Sequence, residues 1–224
     1  MNFIILDYET GGFDGEKDAV TEMGMTALCG NTLKQLEQYS TYIKPYEGFN
    51  YGQQALTATN ISLELLNAEG IPVKEAVQQQ EAFFAKYSST KMMDKAVFVG
   101  HNPLFDIMFA NTLHNKFGKT KLEKYFQGKQ YGHLFIPQHI DTGTLGKMMF
   151  SKSSIPNYKL GTIIEKAGLE LSDAHKAIND VIATEDYLRL CMQKLRNTSQ
   201  STSADSSDSN TEKNYSRFRT TFQI

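Results

Sequence analysis

Two acidic residues separated by a single tyrosine, Asp7 and Glu9, follow the apolar segment Phe3-Ile4-Ile5-Leu6 near the start of the chain. If that segment is a strand, alternation of its side chains places both carboxylates on the same face. Two like charges side by side are unfavourable unless a cation compensates them. Carboxylate oxygens are the ligands that Mg²⁺ and Mn²⁺ prefer, so the pair predicts a divalent metal site. Alone the pattern is unspecific, because Asp-x-Glu is also common on solvated surfaces.

A third acid, Asp106, lies in the segment His101-Asn102-Pro103-Leu104-Phe105-Asp106-Ile107. Asn102 is predicted as the N-cap of a helix and Pro103 as its first residue. An acid among apolar neighbours is costly to bury unless it is paired or liganded, which makes Asp106 a candidate metal ligand. The same spacing also fits an acid on the exposed stripe of an amphipathic helix.

A histidine and an acid, His175 and Asp180, lie five residues apart near the start of the last predicted helix. Five residues correspond to about 140° of rotation on a regular helix, so the two side chains would not share a face. If both serve one site, His175 precedes the helix and reaches back, while Asp180 points inward from its first turns. A lone histidine is more often structural or solvated than catalytic, so the residue type alone does not assign His175 a role.

Taken together, these segments resemble the three sequence motifs of the DnaQ-like, or DEDDh, 3′→5′ exonucleases. The matching stretches are Asp7-Tyr8-Glu9-Thr10, His101-Asn102-Pro103-Leu104-Phe105-Asp106 and His175-Lys176-Ala177-Ile178-Asn179-Asp180. Three separated motifs with every acid and the histidine present are far more specific than any one of them. The resemblance runs from Met1 to about Leu195.

The resemblance implies an α/β chain with a ribonuclease H-like fold, in which helices flank a mixed five-stranded sheet. It also implies that four carboxylates hold two Mg²⁺ or Mn²⁺ ions, those of Asp7, Glu9, Asp106 and Asp180. His175 would be the general base for hydrolysis of the 3′-terminal phosphodiester, and a nucleoside 5′-monophosphate would leave. Two ions about 4 Å apart can clamp a phosphodiester from both sides.

By the same resemblance, Thr10 and the backbone near Gly11 would contact the terminal nucleotide. The family often reads Asp-Thr-Glu-Thr-Thr-Gly, whereas here Tyr8 and Gly11 replace two of the threonines. These departures predict an altered pocket for the terminal residue. They leave the predicted metal ligands and the base unchanged.

The elements that must position these residues follow from apolar patterning and turn signals. Strands are predicted at about residues 3–7, 19–28, 33–43, 96–99 and 139–141, and helices at about 73–87, from 103, at 142–150, 159–166 and 176–195. Three consecutive strands followed by alternating helices and strands indicate a mixed sheet with helices packed on it.

The 224 residues suit one exonuclease domain over residues 1–196 and a flexible Ser-rich tail over 197–224. Residues 215–224 regain aromatic and basic side chains; they are either a frayed terminus or a docking peptide for a DNA polymerase or another replication protein. Without a signal sequence or an apolar span, the protein is expected in the cytoplasm and away from membranes.

The formal net charge of −2 argues against a broad basic surface for duplex DNA. This net charge is compatible with an enzyme that binds only a few nucleotides at a single-stranded 3′ end, because few phosphates are then neutralised. DNA is the favoured substrate, in a proofreading or repair role. Two alternatives stay open: an exoribonuclease acting on RNA 3′ ends, and a catalytically silent nucleic-acid-binding adaptor, which would be expected to lack at least one of the five residues.

Overall fold

The apolar segment at the start of the chain forms the central strand of a five-stranded mixed sheet. In the computed structural model, which describes residues 1–171 and 176–201, the strand order is β3-β2-β1-β4-β7. These strands are β1 (Asn2–Thr10), β2 (Val20–Cys29), β3 (Gln35–Tyr42), β4 (Val97–Gly100) and β7 (His139–Asp141). The first three are antiparallel, whereas β4 and β7 run parallel to β1.

Burial explains why the inner strands are continuously apolar. Nearly every residue of β1 and β2 is buried, whereas the edge strand β3 has mostly exposed or half-buried residues. A strand covered on both faces reads as an apolar run, and only a strand with one free face alternates. Any charged residue within β1 or β2 is therefore conspicuous.

Helices and a small hairpin form most of the remaining structure of the described residues. The helices are α1 (Gln53–Ala58), α2 (Leu63–Glu69), α3 (Val73–Tyr87), α4 (Leu104–Lys116), α5 (Thr142–Met149), α6 (Leu160–Lys166) and α7 (Ala177–Ser201). The hairpin consists of β5 (Gly128–Tyr131) and β6 (Leu134–Pro137). Residues of α3 and α4 share one apolar core with β1, β2 and β4.

The predicted fold class is confirmed, including the mixed sheet of five strands with flanking helices. The helix predicted over 73–87 has those limits. Two short helices, α1 and α2, and the β5–β6 hairpin were not predicted.

The prediction that Asn102 caps a helix beginning at Pro103 was wrong by one residue. α4 begins at Leu104, Pro103 occupies the cap position, and Asn102 has a φ of 57°. Asparagine tolerates this left-handed conformation better than other non-glycine residues because its short polar side chain can hydrogen bond locally. The Asn102 amide donates a hydrogen bond to Asp141 Oδ1 at 3.0 Å, which fixes the turn ahead of α4.

The chain divides into two compact units, Met1–Tyr187 and Leu188–Ile224. In the second unit, the described residues are the C-terminal part of α7, which continues helical to Ser201, past the predicted domain end at residue 196. The boundary between domain and tail stays a prediction, and residues 202–224 of the predicted tail lie outside the described residues. Among the helices that are described, none has the length and apolarity needed to cross a membrane.

Candidate active site

Three carboxylates converge where the end of β1 meets the first turn of α7. Asp7, Glu9 and Asp180 each offer an oxygen atom, and the three atoms lie within 4.8 Å of one another. Asp7 and Glu9 share a face because they are two residues apart on a strand. Asp180 reaches the same place from the opposite end of the sequence, in the first turn of α7.

The fourth predicted ligand, Asp106, lies beside this group but is not one of the three that converge within 4.8 Å. It is 3% exposed in the first turn of α4, and its Oδ1 accepts a hydrogen bond from the Tyr8 backbone N–H at 3.0 Å. Tyr8, which lies between Asp7 and Glu9, thus holds the Asp106 carboxylate directly. Asp106 also raises the pKa of Asp7 through repulsion between their charges.

Electrostatics at this cluster are dominated by burial and mutual repulsion. Burial, followed by repulsion from Asp106, Asp180, Glu9 and Glu22, raises the pKa of Asp7 well above its usual value. Burial raises the pKa of Glu9 to about 7, and the charges of Asp180 and Glu22 add to the shift. For Asp106, burial outweighs the hydrogen bond from Tyr8 and raises the pKa to about 8. Every shift favours the neutral acid, so ionisation of the whole cluster is costly without a cation.

The donor set fits a hard divalent metal. All the converging atoms are carboxylate oxygens. A bound dication would neutralise their negative charge and so remove their mutual repulsion. Asp7, Glu9 and Asp180 could bind an ion together, with Asp106 close enough to interact electrostatically with them. The predicted base, His175, lies outside the described residues, and its role stays a prediction. α7 begins at Ala177, which agrees with the expectation that the helix starts after His175.

A glycine of β2 lets α7 approach the sheet. Gly24 pairs with Asp7 across the β1–β2 ladder. A Cβ at this position would lie 2.6 Å from the carbonyl carbon of Ala177 and 2.8 Å from the nitrogen of Ile178. Only glycine therefore permits the first turn of α7 to pack so closely. The signal was present in the sequence, since glycine inside an apolar strand often marks a close backbone approach.

A fifth acid, Glu22, was also missed by the sequence analysis. It lies directly opposite Glu9 in the β1–β2 register and is 4% exposed. Burial raises its pKa, whereas a hydrogen bond from the Ala177 backbone N–H and the charge of Lys176 lower it. A lone acid in the otherwise apolar and neutral run from Val20 to Cys29 was the available signal.

The two predicted substrate contacts, Thr10 and Gly11, follow the acids at the end of β1. Thr10 Oγ1 donates to the Gly12 carbonyl at 2.7 Å. Gly11 donates its N–H to the Ala19 carbonyl at 2.7 Å and accepts one from Gly52 at 2.7 Å. These bonds shape the loop, and contact with a nucleotide stays a prediction for both residues.

Tyr8, which stands where the family motif often has threonine, points to the face of β1 opposite to Asp7 and Glu9. The Tyr8 side chain is 4% exposed, and its hydroxyl is hydrogen bonded to Gln80 of α3. Gln80 also contacts His114 Nε2 of α4 at 3.0 Å. Tyr8 therefore ties the acid-bearing strand to two helices in the core, so its side chain does not belong to the acid face.

An exposed aromatic ring lies in the loop that follows the acids of β1. Phe13 is 87% exposed, three residues beyond Thr10, and its ring lies 6.4 Å from that of Phe105. Phe105 is the neighbour of Asp106 in α4, so the Phe13 ring packs on the helix that carries Asp106. A single exposed apolar side chain is ordinary, so Phe13 is a candidate ligand contact only because of its place in the loop that follows the acids of β1.

Comparison with known proteins agrees with this geometry. The family model described as "Exonuclease" (RNase_T) matches residues 4–188. Ribonuclease T of Vibrio campbellii is 27% identical over 198 residues, covering 82% of this chain and 81% of that protein. The PolC-type DNA polymerase III of Pediococcus pentosaceus is 28% identical over 179 residues, covering 80% of this chain but only 10% of the polymerase.

Among solved structures, E. coli Exonuclease I in complex with a dT13 oligonucleotide superposes with a TM-score of 0.67 at 18% identity. The match covers 84% of this chain and 40% of Exonuclease I, so the likeness concerns the fold. The sheet order, the converging acids and the family match over most of the length lead to one assignment. The chain belongs to the exonuclease family, within the ribonuclease H-like DEDD 3′→5′ exonucleases.

Proposed function

We propose that this chain hydrolyses the 3′-terminal phosphodiester of single-stranded nucleic acid, with DNA as the preferred substrate, and releases nucleoside 5′-monophosphates. The observation that carries the proposal is the convergence of Asp7, Glu9 and Asp180 oxygens within 4.8 Å, with Asp106 beside them. Such a cluster is costly to keep ionised unless it serves to bind cations.

The roles of the residues follow from their chemistry. Asp7, Glu9, Asp106 and Asp180 would hold two Mg²⁺ or Mn²⁺ ions, which supply an activated water and neutralise charge on the phosphate. His175 accepts the proton of the attacking water, since imidazole titrates near neutral pH. The bound ions would contact phosphate rather than sugar or base, so the acid cluster that holds them does not select a sequence.

Phe13 supports a single-stranded substrate. Unpaired bases stack on exposed aromatic rings, and each such contact is worth about 1–3 kcal/mol. The 87% exposed ring, four residues beyond Glu9 and packed against Phe105, would offer a surface for the terminal bases. Thr10 and Gly11 lie between the acids and this ring in sequence, which agrees with contact to the last nucleotide.

RNA is the second candidate substrate. It is favoured by the likeness to ribonuclease T, which extends over 81% of that protein, whereas the matches to PolC and Exonuclease I cover 10% and 40%. The choice depends on contacts to the 2′ position of the sugar. The acids would serve either substrate equally.

The decisive experiment compares matched 5′-labelled DNA and RNA oligonucleotides, single-stranded and mispaired, with Mg²⁺ or Mn²⁺. The proposal predicts stepwise release of mononucleotides from the 3′ end, faster on DNA, and complete loss of activity with EDTA. Faster hydrolysis of RNA would reverse the substrate preference. Tight binding of the oligonucleotide without hydrolysis in either metal would support the adaptor alternative.

Substitution of Phe13 tests the stacking contact. F13A should weaken binding of a short single strand by about 5–150-fold, the equivalent of one stacked base, and raise KM more than it lowers kcat. M93A is the control, because Met93 is 78% exposed but precedes β4, at the end of the sheet away from the acids. An F13A protein that binds DNA as tightly as M93A would remove Phe13 from the substrate path.

A further inference from the structure

Glu22 is a buried acid to which the chemistry above assigns no role. It lies on β2 directly opposite Glu9, and side chains of directly paired residues point to the same face of a sheet. Glu22 and Glu9 are 4% and 8% exposed. Glu22 Oε2 is buried and has no hydrogen-bond partner among the described residues.

Keeping a glutamate at this position is unfavourable by itself. Like charges directly opposite one another destabilise a strand pair, and a buried acceptor without a partner adds a desolvation penalty. An apolar residue would continue the pattern of β2 without either penalty. The compensating interaction must therefore involve the other carboxylate oxygen.

That interaction is with the start of α7. The Glu22 carboxylate accepts a hydrogen bond from the backbone N–H of Ala177, the first residue of the helix. The first N–H groups of a helix have no intrahelical acceptor, and the helix dipole favours a negative charge there. Lys176, immediately before the helix, adds a favourable charge.

Anchoring Ala177 also determines the position of Asp180. The two residues are three apart in a helix, so they lie on the same side and one turn from each other. Gly24, two residues beyond Glu22 on the same strand face, admits the backbone of Ala177 and Ile178. β2 therefore leaves room for the first turn of α7 at Gly24 and forms a hydrogen bond with it through Glu22.

We propose that Glu22 is a positioning residue for the metal site, holding the first turn of α7 through the Ala177 amide so that Asp180 stays within ligand distance of Asp7 and Glu9. The proposal rests on the proposed metal-dependent function. It does not make Glu22 a ligand, since Glu22 is not among the residues whose oxygens converge within 4.8 Å.

Two conservative variants separate the hydrogen bond from the charge. E22Q keeps the length and an acceptor oxygen but removes the charge, whereas E22D keeps the charge but is one methylene too short. The affinity for Mn²⁺ is measured by calorimetry on the metal-free full chain. E22D should lose about 10–100-fold in affinity, as for other residues that orient metal ligands, and E22Q should stay within about threefold of the unsubstituted protein.

Amide hydrogen exchange in the absence of metal gives a second measurement that does not depend on activity. In E22D the amides of Ala177 to Asp180 should exchange about 2–30-fold faster, the equivalent of losing a helix N-cap, and in E22Q they should be unchanged. E81D is the matched control, because Glu81 of α3 is 7% exposed and accepts a hydrogen bond from the Thr120 backbone amide in the loop after α4. E81D should lower the melting temperature and leave Mn²⁺ affinity unaltered.

Each other outcome rejects the role. Equal Mn²⁺ affinity in E22D and the unsubstituted protein would leave Glu22 a purely structural residue. Weak Mn²⁺ binding in E22Q together with normal binding in E22D would mean that the charge of Glu22, not its hydrogen bond to Ala177, matters. Equally weak binding in both variants would mean that a neutral acceptor at the same distance is not sufficient, which also contradicts the proposed role. Failure of the unsubstituted chain to bind Mn²⁺ would instead reject the metal site itself, and with it this role of Glu22. The two failures are therefore distinguishable.

Discussion

The carboxylates of the site are individually unfavourable in the folded chain. Burial and mutual repulsion raise the pKa of Asp7, Glu9 and Asp106, so the metal-free fold holds acids in a place that disfavours their ionised form. The ionised acids therefore lower the free energy of unfolding of the metal-free protein, while metal binding needs their negative charge. This opposition between stability and function leads to two measurements.

Removal of one charge should stabilise the metal-free protein while abolishing turnover. In D7N the amide occupies the same space, and the repulsion from Asp106 and Asp180 is lost. We expect a higher melting temperature in EDTA at pH 8 and hydrolysis at background level in Mg²⁺. D14N is the control: Asp14 pairs with exposed Lys17 in the following loop, so its neutralisation should leave the rate unaltered. Activity retained in D7N would refute the ligand assignment.

The stability of the metal-free chain should fall as the pH rises. The pKa of Asp106 is raised from 3.8 to about 8 and that of Glu9 from 4.5 to about 7. At a pH between its ordinary pKa and its raised pKa, each group keeps a proton in the folded state that it has released in the unfolded state. The free energy of unfolding therefore decreases from about pH 4 to pH 8, with a slope of up to about 1.4 kcal/mol per pH unit for each group.

Thermal melting in EDTA at pH 5, 6, 7 and 8 measures this dependence. Mn²⁺ should raise the melting temperature more at pH 8 than at pH 5, because binding requires the ionised acids. D106N removes one raised group while keeping an acceptor for the Tyr8 amide, so its profile should be flatter. A metal-free protein most stable at pH 8 would contradict the assigned repulsion.

At the scale of elements, the site depends on how closely α7 packs against β2. Gly24 has no side chain where a Cβ would meet the backbone of Ala177 and Ile178. The backbone atoms cannot yield as a flexible side chain would, so any larger residue must displace the first turn of α7. Asp180 lies in that turn.

G24A should therefore separate Asp180 from Asp7 and Glu9. Overpacking of this kind typically costs about 1–3 kcal/mol, and we expect Mn²⁺ affinity and kcat each to fall by at least about tenfold. G161A is the matched control in α6, where the nearest atom to the new Cβ is Leu171 Cδ2 at 3.6 Å. Alanine is favoured over glycine inside a helix by about 0.5–1 kcal/mol, so G161A should be at least as stable and fully active. Normal metal affinity in G24A would mean that α7 can shift without moving Asp180.

Elements with strong local patterns could be predicted, and those stabilised mainly by distant contacts could not. The apolar segment ending in Asp7 and the helix Val73–Tyr87 carry clear signals. All four residues of β5 are exposed, so no apolar alternation marks that strand. Asn102 was expected to cap a helix, but its conformation depends on Asp141, far along the chain.

The same distinction applies to the site. Asp7, Glu9, Asp106 and Asp180 could be selected from residue type, spacing and motif resemblance. Glu22 and Gly24 acquire their importance only when α7 docks on β2, an approach between segments more than 150 residues apart. The sequence around them marks both residues as unusual within an apolar strand, but it does not identify α7 as the segment that approaches them.

For the whole molecule, the net charge of −2 is consistent with a substrate held mainly at its terminus. Affinity for a long nucleic acid backbone requires many neutralised phosphates, and each lysine or arginine contact contributes to it. Here the acid cluster and its cations would supply a local attraction for one phosphodiester. Processivity or recruitment to longer substrates would then require additional contacts or a partner.

The C-terminal segment is the candidate for that recruitment. Deletion of residues 202–224 leaves α7 intact to Ser201 and removes the Tyr-, Phe- and Arg-containing end of the chain. Hydrolysis of a short single-stranded oligonucleotide should stay within about twofold of the full chain, since terminal segments usually contribute little to a domain's core. Binding to a DNA polymerase or another replication protein, measured with purified components, should be lost.

R217A/R219A in the full chain is the milder variant, expected to weaken partner binding with no effect on hydrolysis. A truncated chain that folds but no longer cleaves the short oligonucleotide would place the segment in the catalytic unit and remove its assignment as a docking peptide.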